Sequence, residues 1–176
     1  MTTTRLTRYD GSMLRIMNDR RAQALYATAA RRRLTVAVHI TLTVAIGGLN
    51  AHMFLAKGEP LWAVAAMAVL LLPWMVATGA INGATRGLLE LREHVLDERQ
   101  SAERNRVLAR SHRMTTLLLA AAATALLITG GVNGDAPKAY AAPLLIAVLV
   151  VNWIMPLWVA GLTAKDEPAE EEEPTA

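Results

Sequence analysis

Thr41 to Asn50 reads TLTVAIGGLN, and Thr124 to Asn133 reads TALLITGGVN. The two stretches lie 83 positions apart, and the alignment runs without a gap from 41–77 to 124–160. Ten positions are identical: Thr41/Thr124, Gly47/Gly130, Gly48/Gly131, Asn50/Asn133, Ala56/Ala139, Pro60/Pro143, Leu61/Leu144, Pro73/Pro156, Val76/Val159 and Ala77/Ala160. Leucine and alanine matches carry little weight in a composition this biased. The repeated Gly-Gly-x-Asn and the two proline pairs carry more. The pattern predicts the internal duplication of a transmembrane hairpin.

Composition supports a membrane setting. The 176 residues are 53% hydrophobic, and the mean hydropathy is +0.29. A helix needs about 20 apolar residues to cross the hydrocarbon core of a bilayer. Four stretches qualify, 34–56, 61–83, 114–133 and 140–163, and none contains Asp, Glu, Lys or Arg. The expected fold is an all-α membrane protein with four transmembrane helices, arranged as two tandem parallel hairpin repeats with helical cytoplasmic extensions. The corresponding units are an Arg-rich N-terminal helix at 1–33, hairpins at 34–83 and 114–163, a charged helical connection at 84–113, and a disordered acidic tail at 164–176. The tail's composition, six acids and two prolines from Asp166 to Ala176, cannot build a core.

Charge sets the expected orientation. Eight arginines precede the first span, seven lie between 84 and 113, and Lys165 follows the fourth span. The two remaining short connections hold only Lys57 and Lys138. Sixteen cations against two place both termini and the middle connection in the cytoplasm. The first span is expected to be a retained helix rather than a cleaved signal, because a long Arg-rich segment precedes it and the apolar run is too long. Fifteen arginines against three lysines, with abundant alanine, suit a high-GC bacterium and its plasma (inner) membrane. The pI of about 9.7 reads as attraction to anionic lipid headgroups, with Arg31, Arg32, Arg33, Arg110 and Arg113 as the nearest cations. Nucleic-acid binding is not expected, since only Tyr9 and Tyr26 accompany these arginines.

Both repeats enter the membrane from the same side, so a pseudo-two-fold axis along the membrane normal is the natural arrangement. Pro60 and Pro143 are expected in the first turn of a helix, where a missing N–H costs nothing. Pro73 and Pro156 fall inside the returning spans. Each frees the carbonyl four residues earlier, on Val69 and Asn152, and favours a kink. The 84–113 segment is expected to prolong the second span, turn near Gln100 and return into the third.

The motifs are few. Gly79, Gly83 and Gly87 recur every four residues, the small-residue spacing that lets helices approach closely. Packing inside the bundle and a homodimer face are the two readings, the first preferred. Gly-Gly-x-Asn is expected to end its helix, since Gly and Asn tolerate left-handed backbone. The alternative is a polar cavity lined by Asn50, Asn133, Asn152 and His39. His39 is the one histidine well inside a span, so a bis-imidazole haem lacks its second ligand. A packed neutral histidine is the preferred reading, beside a proton-linked one. Trp62 and Tyr140 suit the outer aromatic belt, and Trp158 the inner one. Trp74 and Trp153 read as packing residues.

No catalytic constellation is present. There are no cysteines, which removes thiolate metal sites and thiol nucleophiles. No His-x-x-x-His, phosphate-binding Gly loop or Gly-x-Ser-x-Gly occurs. Glu90, Glu93, His94, Asp97 and Glu98 form a charged stretch of the kind that is usually a solvated helix face. No cofactor, no metal and no enzymatic activity are therefore expected. The expectation is a non-enzymatic scaffold, accessory subunit or regulator, present as a homodimer or within a larger membrane complex. A small dimeric transporter or channel for a neutral or weakly polar solute is the alternative.

Overall fold

A computed structural model describes residues 8, 11–12, 26–56, 60–91, 96–133 and 136–164, and of 130–133 and 136–139 the backbone alone. The rest of the N-terminal segment up to residue 25, the acidic tail and the Asn133 side chain lie outside this set. Four long helices follow in order: α1 (Ala29–Leu55), α2 (Leu61–Ala84), α3 (Glu98–Asn133) and α4 (Ala136–Thr163). All four are long and apolar enough to cross a membrane. The described residues form an all-helical fold, and the four spans mark a multi-pass membrane protein.

Local chemistry fixes the helix ends. Thr28 caps α1, its hydroxyl accepting from the Arg31 N–H at 3.3 Å. Pro60 stands at the N-cap of α2, as its missing N–H favours. α3 begins with a reciprocal capping box. The Gln100 N–H donates to Asp97 Oδ1 at 2.6 Å, and the Asp97 N–H donates to Gln100 Oε1 at 3.1 Å. α3 then runs 36 residues without a break, about 54 Å at 1.5 Å per residue. A hydrocarbon core of about 30 Å leaves its first turns outside the membrane.

Three expectations need correction. α1 does not end at Gly47-Gly48-Leu49-Asn50 but continues to Leu55. Neither glycine adopts positive φ, because the apolar residues beyond them keep the chain in the membrane, where only a helix satisfies the backbone. In the second copy Asn133 is the last residue of α3. Pro143 lies inside α4 rather than in its first turn, since that helix already starts at Ala136. Finally, α2 does not extend along the 84–113 connection. It stops at Ala84 in a Schellman turn. The Gly87 N–H donates to the Asn82 carbonyl at 2.9 Å and the Arg86 N–H to that of Gly83 at 3.0 Å. Arg86 and Gly87 take φ of 52° and 68° there. The return helix, α3, does start near Gln100. Pro73 and Pro156 both lie inside helices.

The helices pack as α1 with α2 and α3 with α4, and α4 also packs on α1 and α2. Thus α4 is the central helix. The α1–α4 contact has no counterpart of similar extent between α3 and α2, so the packing does not mirror the sequence repeat. The core lies in the arginine-rich half. Its buried residues include Val36 of α1, Ile81 of α2, Val107 of α3, and Ile154, Met155, Trp158, Val159 and Ala160 of α4. Towards the other side α4 exposes Leu145, Leu149 and Trp153.

Gly161 makes this convergence possible. A Cβ there would meet Ile81 Cγ2 at 2.8 Å and Val36 Cγ2 at 2.9 Å. Both are branch methyls of stiff side chains. The expected triplet divides. A Cβ at Gly83 would meet the Tyr26 ring at 3.1 Å, one at Gly79 would meet nothing within 4 Å, and Gly87 belongs to the α2 end turn. Substituting Gly161→Leu is expected to destabilise the protein by roughly 1–3 kcal/mol, and Gly79→Leu by less than about 0.5 kcal/mol. Thermal melts in a mild detergent check this; equal stability of the two variants would contradict the close approach at Gly161.

Candidate functional site

Three helices meet at His39, which is fully buried. Trp158 Nε1–H of α4 donates to His39 Nδ1 at 2.9 Å. On the other side of the ring, Nε2 lies 2.9 Å from Thr78 Oγ1 of α2. The Thr78 hydroxyl donates its own proton to the Trp74 carbonyl at 2.9 Å, so its oxygen accepts from Nε2–H. The ring is therefore the neutral Nε2–H tautomer, with both nitrogens used. A second relay runs the opposite way. Trp74 Nε1–H donates to Thr43 Oγ1 at 2.9 Å, and the Thr43 hydroxyl donates to the His39 carbonyl at 2.8 Å. The Trp74 and His39 rings lie 4.8 Å apart.

The helical period explains this closure. His39/Thr43 and Trp74/Thr78 are each four apart, so each pair shares one helix face. Each face then supplies an aromatic donor and a hydroxyl that passes its proton to its own backbone. The arrangement is a filled polar lock, not an open binding site. It has no second copy: at the 83-residue offset His39, Thr43, Trp74 and Thr78 correspond to Ala122, Leu126, Leu157 and Gly161. These residues stand where the two halves of the sequence differ rather than where they match. That divergence was the signal available in the sequence.

Of the expected cavity residues, Asn50, Asn152 and His39 do not meet, and the Asn133 side chain lies outside the described residues. Asn50 is half-buried eleven residues further along α1, about 16 Å along the axis from His39. Asn152 is exposed on the outer surface of α4. Trp74 packs as expected, but Trp153 is 76% exposed.

Of the arginines expected at lipid headgroups, Arg31, Arg33, Arg110 and Arg113 are exposed. Arg32 is not. It is buried and donates from Nη2 to the Ala164 carbonyl at 2.9 Å and from Nη1 to the Tyr26 carbonyl at 3.5 Å. A cation at the last carbonyls of α4 also complements the helix dipole. This ties the start of α1 to the end of α4, a pairing that sequence spacing does not reveal.

A second feature lies beyond the bundle at the arginine-rich end. The turn after α2 and the first turns of α3 enclose an open groove of about 460 Å³. Leu89, Leu91, Leu96 and Leu108 line it, with Glu90 and Arg104 among its polar groups. Arg104 Nη1 donates to the Leu91 carbonyl at 3.1 Å, holding the turn against α3. Asn82, buried at the end of α2, donates to Glu90 Oε1 at 3.4 Å. No group of three or more His, Cys, Asp or Glu suited to a metal occurs among the described residues.

If the His39 lock holds the bundle together, Trp158→Phe should cost roughly 1–2 kcal/mol by leaving Nδ1 buried without a donor. Trp74→Phe should cost less, about 0.5 kcal/mol, since the Thr43 hydroxyl keeps its bond to the His39 carbonyl. Denaturant titration in micelles measures both, and the reverse order would refute the greater weight assigned to the Trp158–His39 bond.

The chain matches no protein family, no curated protein and no solved structure. Any functional reading therefore rests on the lock, the groove and the outer surfaces.

Proposed function

We propose that this protein is a non-enzymatic scaffold, accessory subunit or regulator of the bacterial plasma membrane. Its arginine-rich end, with both termini, faces the cytoplasm. The groove beside α3 receives an amphipathic helix of a cytoplasmic partner. The groove is the observation that carries this reading. It is open and lined by four leucines together with Glu90, Ser101, Arg104 and Asn105, a mixed lining that suits an amphipathic helix laid into it. It is built on a stiff extension of a transmembrane helix, so a partner docked there is held at a fixed distance from the membrane. The His39 lock supports the same reading, because the centre of α1, α2 and α4 is occupied by side chains. Arg31, Arg33, Arg110 and Arg113 stand at anionic headgroups, each contributing on the order of 1 kcal/mol near such a surface.

A photo-crosslinking residue at position 108 tests the proposal in intact cells. A discrete adduct with one cytoplasmic protein is expected, lost when Ser101→Trp fills the groove. Leu108→Glu should reproduce the phenotype of deleting the gene while the membrane level of the protein is unchanged. Full complementation by Leu108→Glu, together with solute uptake by reconstituted vesicles, would refute the scaffold and favour a transporter.

A further inference from the structure

The membrane-spanning part of α4 runs from Tyr140 to Thr163, and Asn152 stands at its midpoint. It is exposed on the outer surface of the bundle. Its neighbour Trp153 is 76% exposed. Among the described residues neither side chain finds a hydrogen-bond partner within the chain. The threonines behave differently. Thr41, Thr116 and Thr124, also exposed, return their hydroxyl protons to the carbonyl four residues earlier. An asparagine amide has two donors and an acceptor. Four residues on, Pro156 lacks an N–H, so the Asn152 carbonyl also lacks its helical donor. A strongly polar locus therefore faces outward at mid-bilayer, where acyl chains offer no hydrogen bonds.

The surrounding residues have the pattern of a helix seam. Leu145, Leu149, Asn152 and Pro156 recur at intervals of four, three and four, the spacing of a heptad interface. Leu145 and Leu149 are 64% and 68% exposed.

We propose that this face of α4 is a self-association surface, on which a second copy of the chain packs α4 against α4 across a two-fold axis. The occupant follows from the chemistry of the amide. It is its own complement, so Asn152 can exchange hydrogen bonds with Asn152 of the second copy. A two-fold contact brings the same patch on both subunits together. Single polar residues in an apolar seam associate transmembrane helices in this way. The surface is separate from the cytoplasmic groove, and the proposal stands whether or not the groove recruits a partner.

The chain has no cysteine, so single-cysteine variants need no further change. Leu149→Cys should form a disulfide-linked dimer on oxidation in membranes, whereas Val44→Cys, on an exposed face of α1, should not. Subunit counting in vesicles of increasing lipid dilution gives the affinity. Asn152→Leu should weaken the dimer about tenfold, the loss of two interhelical hydrogen bonds, and Asn152→Gln should retain most of it. Because Asn152 has no side-chain partner among the described residues, Asn152→Leu should leave the thermal melt of the monomer unchanged. A wild-type chain that stays monomeric at every dilution overturns the proposal. So does a dimer that is indifferent to Asn152→Leu, one that cross-links through Gly79→Cys instead, or an adduct at position 149 with a different polypeptide.

Discussion

A histidine inside a membrane helix can be neutral and still unstable, because each ring nitrogen needs a partner that lipid cannot supply. Here one nitrogen accepts from an indole on α4 and the other donates to a hydroxyl on α2. Burying His39 thus requires three helices to arrive together, in one rotation and at one height. The threonine relays complete it by returning each hydroxyl proton to a backbone carbonyl. Apolar packing alone tolerates sliding between helices, since one leucine replaces another at small cost. The lock does not, and it sets the register in which Gly161 meets Val36 and Ile81.

From that register follows an uneven bundle. α4 is surrounded where Trp158 reaches His39 and where Arg32 reaches Ala164. Further along, α4 presents Leu149, Asn152 and Trp153 to its surroundings. The two hairpins are placed differently. One carries the lock between its helices, and the other carries alanine, leucine and glycine at the matching positions. With the polar interaction in one hairpin only, nothing obliges the two hairpins to pack symmetrically. The long α3 then continues past the membrane and, with the capped turn before it, forms the leucine-lined groove.

Much of the fold was legible in single residues. Charge-free apolar runs gave four spans, Pro60 marked the start of α2, and the turn expected near Gln100 lies at the start of α3. Other readings failed for identifiable reasons. Gly47-Gly48 looked like a helix end, but glycine breaks a helix only when water or another partner can take the backbone groups, and inside a bilayer none is available. Gly79 and Gly83 looked like one packing face, yet Gly79 meets open space and Gly83 an aromatic ring. Gly161, which does pack closely, belongs to no repeated spacing. Arg32 sat in a run of three arginines with nothing to distinguish it from its neighbours.

By itself the sequence determined the helices, because hydrophobic length, proline and capping act over a few neighbouring residues. It also contained the polar residues of the site: His39, Thr43, Trp74, Thr78 and Trp158 are all visible in it. Only the tertiary structure decided which of them meet. Each span is apolar on nearly every side, so its sequence carries little trace of which face turns inward. The hydrogen bond from Trp158 to His39 joins residues 119 positions apart, and that from Arg32 to Ala164 joins residues 132 apart. Such pairings depend on how whole helices rotate against one another. The same rotation leaves Asn152 outside and His39 inside, although both are polar residues in the middle of an apolar helix.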